Sequence, residues 1–550
     1  MKTRTAIQGS GGTVTQICNL PYRRFSTRCD QYSEVVYPEG IVETSPAFQR
    51  WDQRSRGLSP EGTVEVQQGQ PSLRDFSPIA PPPSVETLGY CRSSLRDGRR
   101  AGKKGSGLII VLWIAFGLVA LALYFANSMN FELRVADNRV AAQSADQAIE
   151  GAARYVNYLL STQIQNGSNG CFPILMNYQC EAVPVGDAHF WLLGRDTNNV
   201  VGPGTVCFGL VDEASKLNLN TAPSNAIIWL PRMTVDLTQA ILDWRDTNAT
   251  GPTVTYYAMQ QPAYQCKSDP FETVDELRLL YGSTMDILVG EDLNRNGVLD
   301  PSETDENQNN MVDPGIVEYF TVYSREPNTN SDGSQKVLIN PVNVNALRGL
   351  LQTNFPSNYQ QILARLGVSL GGPPSGGSNA PPAAAPRFAS PLRYYQQSGL
   401  SSTEFAQIAT NLTTKSGAFT EGRVNVNTAS ATVLTCLLEG DAAAAQTLID
   451  YRNTNPSSLT SIAWIVDALG QNFPNDLQML QAGDYVTTQT YQFTADIAAL
   501  GPHGRGYRRV KFVFDTSSGT PQIVYRQDLT HLGWALGKAA REKWLLAKGT

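Results

Sequence analysis

An Asp- and Asn-rich segment near the middle of the chain has the residue types and spacing of a calcium-binding loop. It fits the pattern D-x-[DN]-x-[DN]-G-x5-E, in which short oxygen-bearing side chains surround a tight turn and a final glutamate supplies two oxygens. Gly297 permits the sharp turn. We predict a structural calcium ion here, the alternative being a solvated acidic turn. The predicted ligands of this first loop are Asp292, Asn294, Asn296, Val298 (through its carbonyl), Asp300 and Glu303.

A second, poorer copy of the loop follows at once. It lacks the glycine at the turn, and Ile316 stands where the first loop has its glutamate. Because the ligand that supplies two oxygens is missing, we expect weaker calcium binding at this second loop. Its predicted ligands are Asp305, Asn307, Asn309, Met311 and Asp313.

Catalytic constellations are absent from the sequence. There is no HExxH, no P-loop, no G-x-S-x-G and no dinucleotide fingerprint. The chain has only three histidines, which limits histidine-based catalysis. We therefore predict that the protein is not an enzyme.

The cysteines fall on both sides of an apolar segment described below. Three precede it, at Cys18, Cys29 and Cys91, and five follow it. An odd number leaves at least one thiol free, and pairing cannot be deduced from spacing. Cys171 and Cys180 are the nearest candidates for a disulfide.

Charge is unevenly distributed along the 550 residues, whose formal net charge is −6. Residues 1–105 carry 15 basic and 10 acidic residues, whereas residues 106–550 carry 28 and 39. An acidic main body argues against a nucleic-acid-binding protein, whose footprint is basic.

One apolar stretch without charge runs from Leu108 through Ile110 and Trp113 to Ala126. A helix of this length matches the thickness of a bilayer core. Arginines and lysines just before it predict that the N-terminal side is cytoplasmic and that the following body lies outside. We therefore predict a single-pass membrane protein whose main body lies outside the cytoplasm.

The helical pattern continues beyond the apolar stretch. Its apolar residues mostly fit one stripe, which predicts a single helix ending near Gln163. The residues of the predicted stripe are Phe131, Val135, Ala145, Ala148, Ala152, Val156 and Leu159.

Strand-like segments bracket a helical middle, which predicts an α+β fold. Runs at 189–194, 206–211, 490–500, 509–515 and 521–527 are rich in aromatic and β-branched residues. We expect one antiparallel sheet packed on the long N-terminal helix, with a large helical domain inserted between its strands.

The helical middle contains an internal repeat. KLNLNTA (216–222) recurs as RVNVNTA (423–429), with a weaker copy VNVNA at 342–346, and WRDTN and YRNTN end the two longer copies. An Asn or Thr of each motif is predicted to cap the helix that follows. Helix, short turn and helix resemble duplicated helix-hairpin-helix or SAM-like units, so a membrane-anchored DNA-binding and uptake protein is the alternative function. The turns lack the glycine pair that cradles phosphate and carry acids, which favours structural packing without nucleic acid.

A resemblance to a known family rests on motifs along most of residues 105–535. The basic leader ending in glycine, followed by an apolar and then an amphipathic helix, resembles the N-terminus of type IV pilin-like proteins. The sequence resembles the general secretion pathway protein K family, the minor pseudopilins K of type II secretion. The motifs are GSGLIIVLW (105–113), DEASKLNLNTAP (212–223), FETVDELRLLYG (271–282), YSREPN (323–328), GRVNVNTA (422–429) and IVYRQDLTHLGW (523–534).

The resemblance implies a specific biology. Prepilin peptidase would cut between Gly105 and Ser106, and Ile110 would occupy the fifth mature position, where most pilin-like proteins have Glu. It implies minor pseudopilins of the I and J types as partners, together with the inner-membrane secretion platform. The function implied is nucleation of a pseudopilus at its tip and export of folded proteins across the outer membrane.

Together these patterns predict seven regions. They are a disordered cytoplasmic extension or leader (1–105), the transmembrane and amphipathic helix (106–163), a first β region (164–215), a helical insertion with the first repeat and the calcium loop (216–370), a Gly/Pro/Ala linker (371–386), a helical insertion with the second repeat (387–488) and a C-terminal β region (489–550).

Overall fold

The computed structural model describes residues 106–173, 178–197, 204–368, 385–538 and Ala540. Several predictions concern residues outside these ranges: the extension 1–105 with Gly105 and its three cysteines, and nearly all of the linker 371–386. The fold is therefore given from Ser106 onward.

The helices are mostly short, apart from the first. In chain order they are α1 (Ser106–Gln165), α2 (Ser224–Ile227), α3 (Val235–Arg245), α4 (Pro252–Ala258), α5 (Met285–Val289), α6 (Val344–Asn354), α7 (Tyr359–Arg365), α8 (Pro391–Ser398), α9 (Ser402–Ile408), α10 (Ala431–Leu437), α11 (Ala442–Thr454), α12 (Trp464–Leu469) and α13 (Pro474–Ala482).

The strands include three long ones near the C-terminus. In chain order they are β1 (Val183–Val185), β2 (Ala188–Leu193), β3 (Val211–Asp212), β4 (Leu217–Asn218), β5 (Phe320–Thr321), β6 (Arg325–Pro327), β7 (Val337–Leu338), β8 (Leu412–Thr413), β9 (Phe419–Glu421), β10 (Val424–Asn425), β11 (Val486–Thr487), β12 (Gln492–Leu500), β13 (Arg508–Asp515) and β14 (Gln522–Asp528).

Helix α1 is one continuous helix of 60 residues, about 90 Å long at the standard rise. Its second half packs on the sheet through small side chains, which let the helix lie close to the strands. Ala145, Ala148, Ala152 and Val156 are fully buried there, as the predicted stripe requires. The facing sheet residues are Phe190, Leu192, Phe493, Ala495, Ile497, Phe512 and Phe514.

The predicted stripe is wrong over its first part. Phe131 and Val135 are exposed, and burial begins only at Ala141. The backbone at Gly501 and Gly506, in the turn between β12 and β13, approaches Ala141 so closely that a Cβ atom would overlap it. Because the sheet ends at this turn, the described part of the chain offers the preceding helix nothing to pack against.

The main sheet has six strands, and all its pairs are antiparallel. Its order is β1-β2-β12-β13-β14, with β3 also pairing with β12. The sequence therefore predicted the three C-terminal strands within about two residues. The run at 206–211 was predicted as a strand but contributes only the short β3 and an isolated bridge between Phe208 and Leu193.

Residues 213–491, between β3 and β12, form the helical insertion. Its core is one continuous cluster of buried side chains, and every helix from α2 to α13 contributes to it. Four two-stranded pairs accompany the helices; β4-β5, β7-β8 and β10-β11 are parallel, whereas β6-β9 is antiparallel. The structure is thus the predicted mixture of a long helix, an antiparallel sheet and a helical domain.

The described cysteines carry free thiols, so the predicted pair Cys171–Cys180 is not formed. Cys171 lies in the turn after α1, where its N–H donates to the Ser168 carbonyl. The Cys180 carbonyl instead accepts from the Leu192 N–H at the edge of β2. The backbone of Cys171 is thus hydrogen-bonded to the turn after α1 and that of Cys180 to β2, although the two cysteines are close in sequence.

Candidate functional site on the N-terminal helix and acidic loops

The first half of α1 is exposed along its whole circumference from Gly107 to Val140. Leu108, Ile110 and Trp113, which the sequence placed in a membrane segment, are between 57 % and 76 % exposed. Within the described residues, this is the one helix long and apolar enough to cross a membrane. An apolar helix surface of this size is otherwise unfavourable in water.

The exposed helix carries apolar side chains beyond the predicted membrane segment as well. Met129, Phe131, Leu133, Val135 and Val140 are all exposed. Charged residues alternate with them along the helix. On a helix, Phe131 and Val135 lie on one side and Met129, Leu133 and Val140 on the opposite side, so this 129–140 surface exposes apolar side chains on two sides, each available to pack against another helix.

The first predicted calcium loop has the hydrogen-bond pattern of a preformed cation loop. The Asp292 carboxylate accepts from the N–H groups of Asn296 (2.9 Å) and Gly297 (2.8 Å). Gly297 has φ +80°, so the turn needs the conformational freedom of glycine. The two oxygens of Glu303 accept from the N–H groups of Asn294 (3.2 Å) and Asp300 (2.9 Å), which closes the loop.

The oxygen atoms of this loop are of the kind that binds a hard cation, and several of them are uncharged. Among the described residues, no three His, Cys, Asp or Glu side chains are grouped as a metal site. The loop would instead combine its carboxylates with the amide oxygens of Asn294 and Asn296 and the Val298 carbonyl. Burial raises the pKa of Asp292, although the nearby Arg195 charge opposes this. A buried carboxylate of this kind gains from a bound cation.

The second loop repeats this geometry thirteen residues later. The Asp305 carboxylate accepts from the N–H groups of Asn309 (3.2 Å) and Asn310 (2.8 Å). Asn310 replaces the glycine of the first loop and has φ +59°, which asparagine tolerates better than most residues. The Asn307 amide donates to Asp313 at 2.5 Å, as the Asn294 amide donates to Asp300 at 2.6 Å. The missing glycine therefore does not prevent the turn.

Sequence reasoning missed one acidic residue, Glu291. Its carboxylate accepts from the N–H groups of Glu306 (2.8 Å) and Asp313 (3.0 Å), both in the second loop, and it is 4 % exposed. Glu303 bonds the first loop in nearly the same way. The only sequence signal was an acidic residue immediately before Asp292, and nothing local shows that it faces the later loop. Ile316, at the expected position, is fully buried in the core.

The first loop is enclosed by the sheet and the C-terminal segment. The buried Arg509 of β13 donates to the carbonyls of Asn294 and Arg295. The amide groups of Asn294 and Asn296 donate to the carbonyls of Trp534 (3.0 Å) and Ala535 (3.2 Å). The loop therefore joins the insertion to two parts of the chain that follow it by more than 200 residues.

The two long copies of the repeat make the same internal bonds. Arg245, from WRDTN, donates to the carbonyls of Leu219 and Ala222. Arg452, from YRNTN, donates to those of Val426 and Ala429. These positions correspond one to one between the copies. The first strand of each copy is also half of a parallel pair, β4-β5 or β10-β11.

The predicted helix caps were wrong for the two long copies of the repeat and right for the weaker one. Ser430, just after the second motif, caps α10 by accepting from the Val433 N–H at 3.3 Å. Pro223 occupies the equivalent position before α2 and has no side-chain cap. The weaker copy at 342–346 is not in a parallel pair, and its Asn343 caps α6.

Charged side chains in the turns between the paired helices are bonded to other parts of the protein. Arg232, in the first turn, forms ion pairs with Asp286 and with Glu306, the latter at 2.8 Å. In the second turn, Glu439 accepts from the Asn225 amide. The basic group in the first turn is therefore engaged within the protein, which is unlike a phosphate-binding hairpin.

Comparison with known proteins gives one family. The family model described as type II secretion system (T2SS), protein K, matches residues 424–473, from β10 through α12. Over this segment the chain is similar to the protein K family. The predicted family resemblance is thereby confirmed, and residues 424–473 are called the protein K segment below.

Two other comparisons add little. A crystal structure of the GspK-GspI-GspJ complex from the enterotoxigenic Escherichia coli type 2 secretion system covers 70 % of this chain and 97 % of that chain, at 9 % identity and a TM-score of 0.35. A likeness this weak transfers no residue roles. No curated protein matches the chain significantly.

The protein K segment is tied to the sheet by Asp212, at the end of β3. The Asp212 carboxylate accepts from the side chains of Asn425 (2.8 Å), Thr428 (2.5 Å) and Thr490 (2.5 Å). It is 2 % exposed, and none of the described lysines or arginines lies within ion-pair distance of it. Burial raises its pKa to about 6, although these hydrogen bonds oppose the shift.

We expect Asp212 to make the free energy of unfolding fall as pH rises from about 4 to 6. In that range the folded state keeps the proton that the unfolded state has lost, so the unfolded state binds fewer protons. The full effect is up to about 3 kcal/mol. Measuring chemical unfolding of wild type and Asp212→Asn across this range tests it. The advantage of wild type over the variant should shrink with rising pH, whereas a constant difference would contradict the prediction.

Proposed function

We propose that the chain is a minor pseudopilin of the K type, at the tip of a type II secretion pseudopilus. The observation that carries the proposal is helix α1, whose second half packs on the sheet while residues 107–140 are exposed within the described structure and form one ion pair with it, Asp137–Arg505 at 3.4 Å. A membrane and neighbouring subunit helices are the environments that such a surface requires. The protein K segment supports the same assignment.

The proposed location at the tip rests on the shape and chemistry of this chain. The insertion of residues 213–491 is bulky and would obstruct stacking inside a fibre. Ile110 stands where an unpaired glutamate would be costly in an apolar segment, and a tip subunit has no subunit ahead to pair with. In this role the protein nucleates the pseudopilus and supports export of folded proteins, and its work is structural rather than catalytic.

We propose that the mature protein begins at Ser106, with a cytoplasmic N-terminus, one span of the inner membrane and a periplasmic body. The supporting features are the basic residues that precede Gly105 in the sequence and the exposed apolar first third of α1. Prepilin peptidase, the I- and J-type pseudopilins and the secretion platform are the proposed partners. The 129–140 surface is the proposed contact for the helices of the two pseudopilins.

The test is the N-terminal peptide of the membrane-extracted protein, measured by mass spectrometry with and without prepilin peptidase. We expect a peptide that begins at Ser106 only when the peptidase is present. We also expect the processed protein to co-purify stoichiometrically with I- and J-type pseudopilins. Phe131→Asp should reduce that co-purification, whereas Tyr158→Asp, an exposed position on the packed half of α1, should not. An uncleaved N-terminus in both strains would refute the pseudopilin assignment.

We propose that the paired-helix motifs are duplicated structural units. The matching bonds of Arg245 and Arg452 support a shared origin, and the acid-bound turns favour packing over DNA binding. Salt-dependent DNA binding by the purified chain would instead favour the uptake protein.

We further propose that both acidic loops bind calcium, with Glu291 as the carboxylate that completes the second loop. Calcium would neutralise the carboxylates that now face one another, and its oxygen ligands would be those named for each loop. Because a ligand that binds only the folded state stabilises it, millimolar calcium should raise the melting temperature, by the equivalent of about 2 kcal/mol if it exceeds the dissociation constant some fiftyfold.

The two loops can be tested separately by calorimetric titration of the full chain in detergent. Glu303→Gln should remove one binding event and Glu291→Gln the other, while Glu181→Gln, an exposed control, should leave two. Two unchanged events in Glu291→Gln would show that Glu291 is not a ligand. No binding by wild type would refute both sites.

A further inference from the structure

A small cavity lies between the main sheet and the helical insertion, and it is lined by an unusual number of charged groups. Its volume is about 40 Å³, enough for water or a single small ion. Five basic side chains and two acidic ones line it: Arg195, Lys216, Arg295, Arg509 and Lys511, with Glu318 and Asp496.

Four of the five basic groups have a carboxylate partner within 4.0 Å. Two of these carboxylates, Glu318 and Asp496, belong to the lining of the cavity, and the other two do not. The pairs are Arg195–Glu318 (2.7 Å), Arg509–Asp496 (2.6 Å), Lys216–Glu213 (3.4 Å) and Arg295–Asp275 (3.8 Å). Paired charges of this kind largely cancel, and the buried Asp292 carboxylate also acts on Arg195, so the fifth base differs from the others in lacking an ion pair.

That fifth base is Lys511, on β13. Within the part of the chain that the structure describes, its ammonium has no hydrogen-bond acceptor and no carboxylate within 4.0 Å. Burial lowers the pKa of Lys511, and the neighbouring Lys216 charge adds to this, while more distant acids oppose it. A lysine in such surroundings lacks a compensating charge.

A second donor at the cavity is also unsatisfied. The Arg295 Nε–H is buried and has no acceptor among the described atoms, and its only carboxylate partner is at the long distance of 3.8 Å. Buried donors in folded proteins are almost always bonded to protein, water or an ion. One lysine without an ion pair and one unsatisfied donor therefore border the same small space.

We propose that this cavity binds one monovalent inorganic anion of about the size of chloride. Lys511 would supply the balancing charge and Arg295 a hydrogen bond. Water would satisfy the donor but would leave Lys511 without an ion pair. Because Lys511 belongs to the sheet and Arg295 to the insertion, the anion would join the two layers.

The test is thermal unfolding of the detergent-solubilised full chain at constant ionic strength, with chloride compared against gluconate, a much larger monovalent anion. Wild type should melt higher in chloride, by about 2 °C. Lys511→Met should lose this difference, and Lys415→Met, at an exposed lysine, should keep it. Equal melting of wild type in both salts, or an unchanged difference in Lys511→Met, overturns the proposal.

A second measurement does not depend on the variant folding. Crystals of the wild-type chain grown with bromide should show an anomalous peak in this cavity. Bromide found only elsewhere, with water alone in the cavity, overturns the proposal as well.

Discussion

Replacing Arg509 with methionine should destabilise the protein by about 3–5 kcal/mol, because it leaves a buried carboxylate without its partner. Arg509 is fully buried and bonds both oxygens of Asp496, at 2.9 and 2.6 Å. It also satisfies two carbonyls of the first acidic loop. Burial alone would raise the pKa of Asp496, but Arg509 holds it below its usual value. Removing the arginine reverses that balance.

Chemical unfolding of the full chain measures this effect, with Arg508→Met as the matched control. Arg508 is the preceding residue, and its Nε lies 3.1 Å from the carboxylate of Asp146, which is exposed. Exposed pairs contribute at most about 1 kcal/mol. The double variant Arg509→Met/Asp496→Asn should recover part of the loss, because no buried charge is then left unpaired. Equal losses in Arg508→Met and Arg509→Met would show that burial does not set the cost.

Replacing Arg423 with methionine should have an effect of similar size, about 3–5 kcal/mol. Its guanidinium bonds both oxygens of Asp484 at 2.8 Å and one oxygen of Glu326 at 3.0 Å. All three side chains are largely buried. The other Glu326 oxygen already lacks a hydrogen-bond partner among the described atoms, and the nearby Lys336 charge is what would remain to compensate this carboxylate. The substitution leaves both buried carboxylates without their arginine.

Arg365→Met is the control, since Arg365 is exposed and donates only one long bond, to the Gly399 carbonyl at 3.3 Å. It should cost less than 1 kcal/mol. Arg423→Lys separates charge from geometry, because lysine keeps the charge but cannot bond a carboxylate with two parallel hydrogen bonds. We expect an intermediate loss. Full stability of Arg423→Lys would mean that charge alone matters here.

Much of the fold could be predicted because its signals are local. Apolar and polar residues follow the helical period through most of α1, and no proline interrupts it, so its length is readable. Strands β12, β13 and β14 lie in segments rich in aromatic and β-branched residues, which are typical of strands. In the acidic loops, Asp292 and Gly297 lie five residues apart, and the turn is made within that distance. The repeat could be recognised from its sequence, although the equivalent hydrogen bonds of Arg245 and Arg452 could not be predicted.

Errors arose where a local pattern had no tertiary partner. Phe131 and Val135 continue the stripe of α1, yet the sheet ends before it reaches them. The sequence shows an apolar face but cannot show how far the opposing surface extends. In the same way, residues 206–211 have strand composition, but only Val211 and Asp212 find a partner strand over consecutive residues.

The sequence by itself determined the long helix, the family motifs and the conformation of the two acidic loops, because each depends on residues within a few turns of one another. Only the tertiary structure decided which charges meet. Glu291 reaches the loop after its own, Arg509 reaches Asn294 across 215 residues, and Lys511 is left without a carboxylate. Electrostatic compensation depends on distances between separate elements, and spacing along the chain carries no information about them.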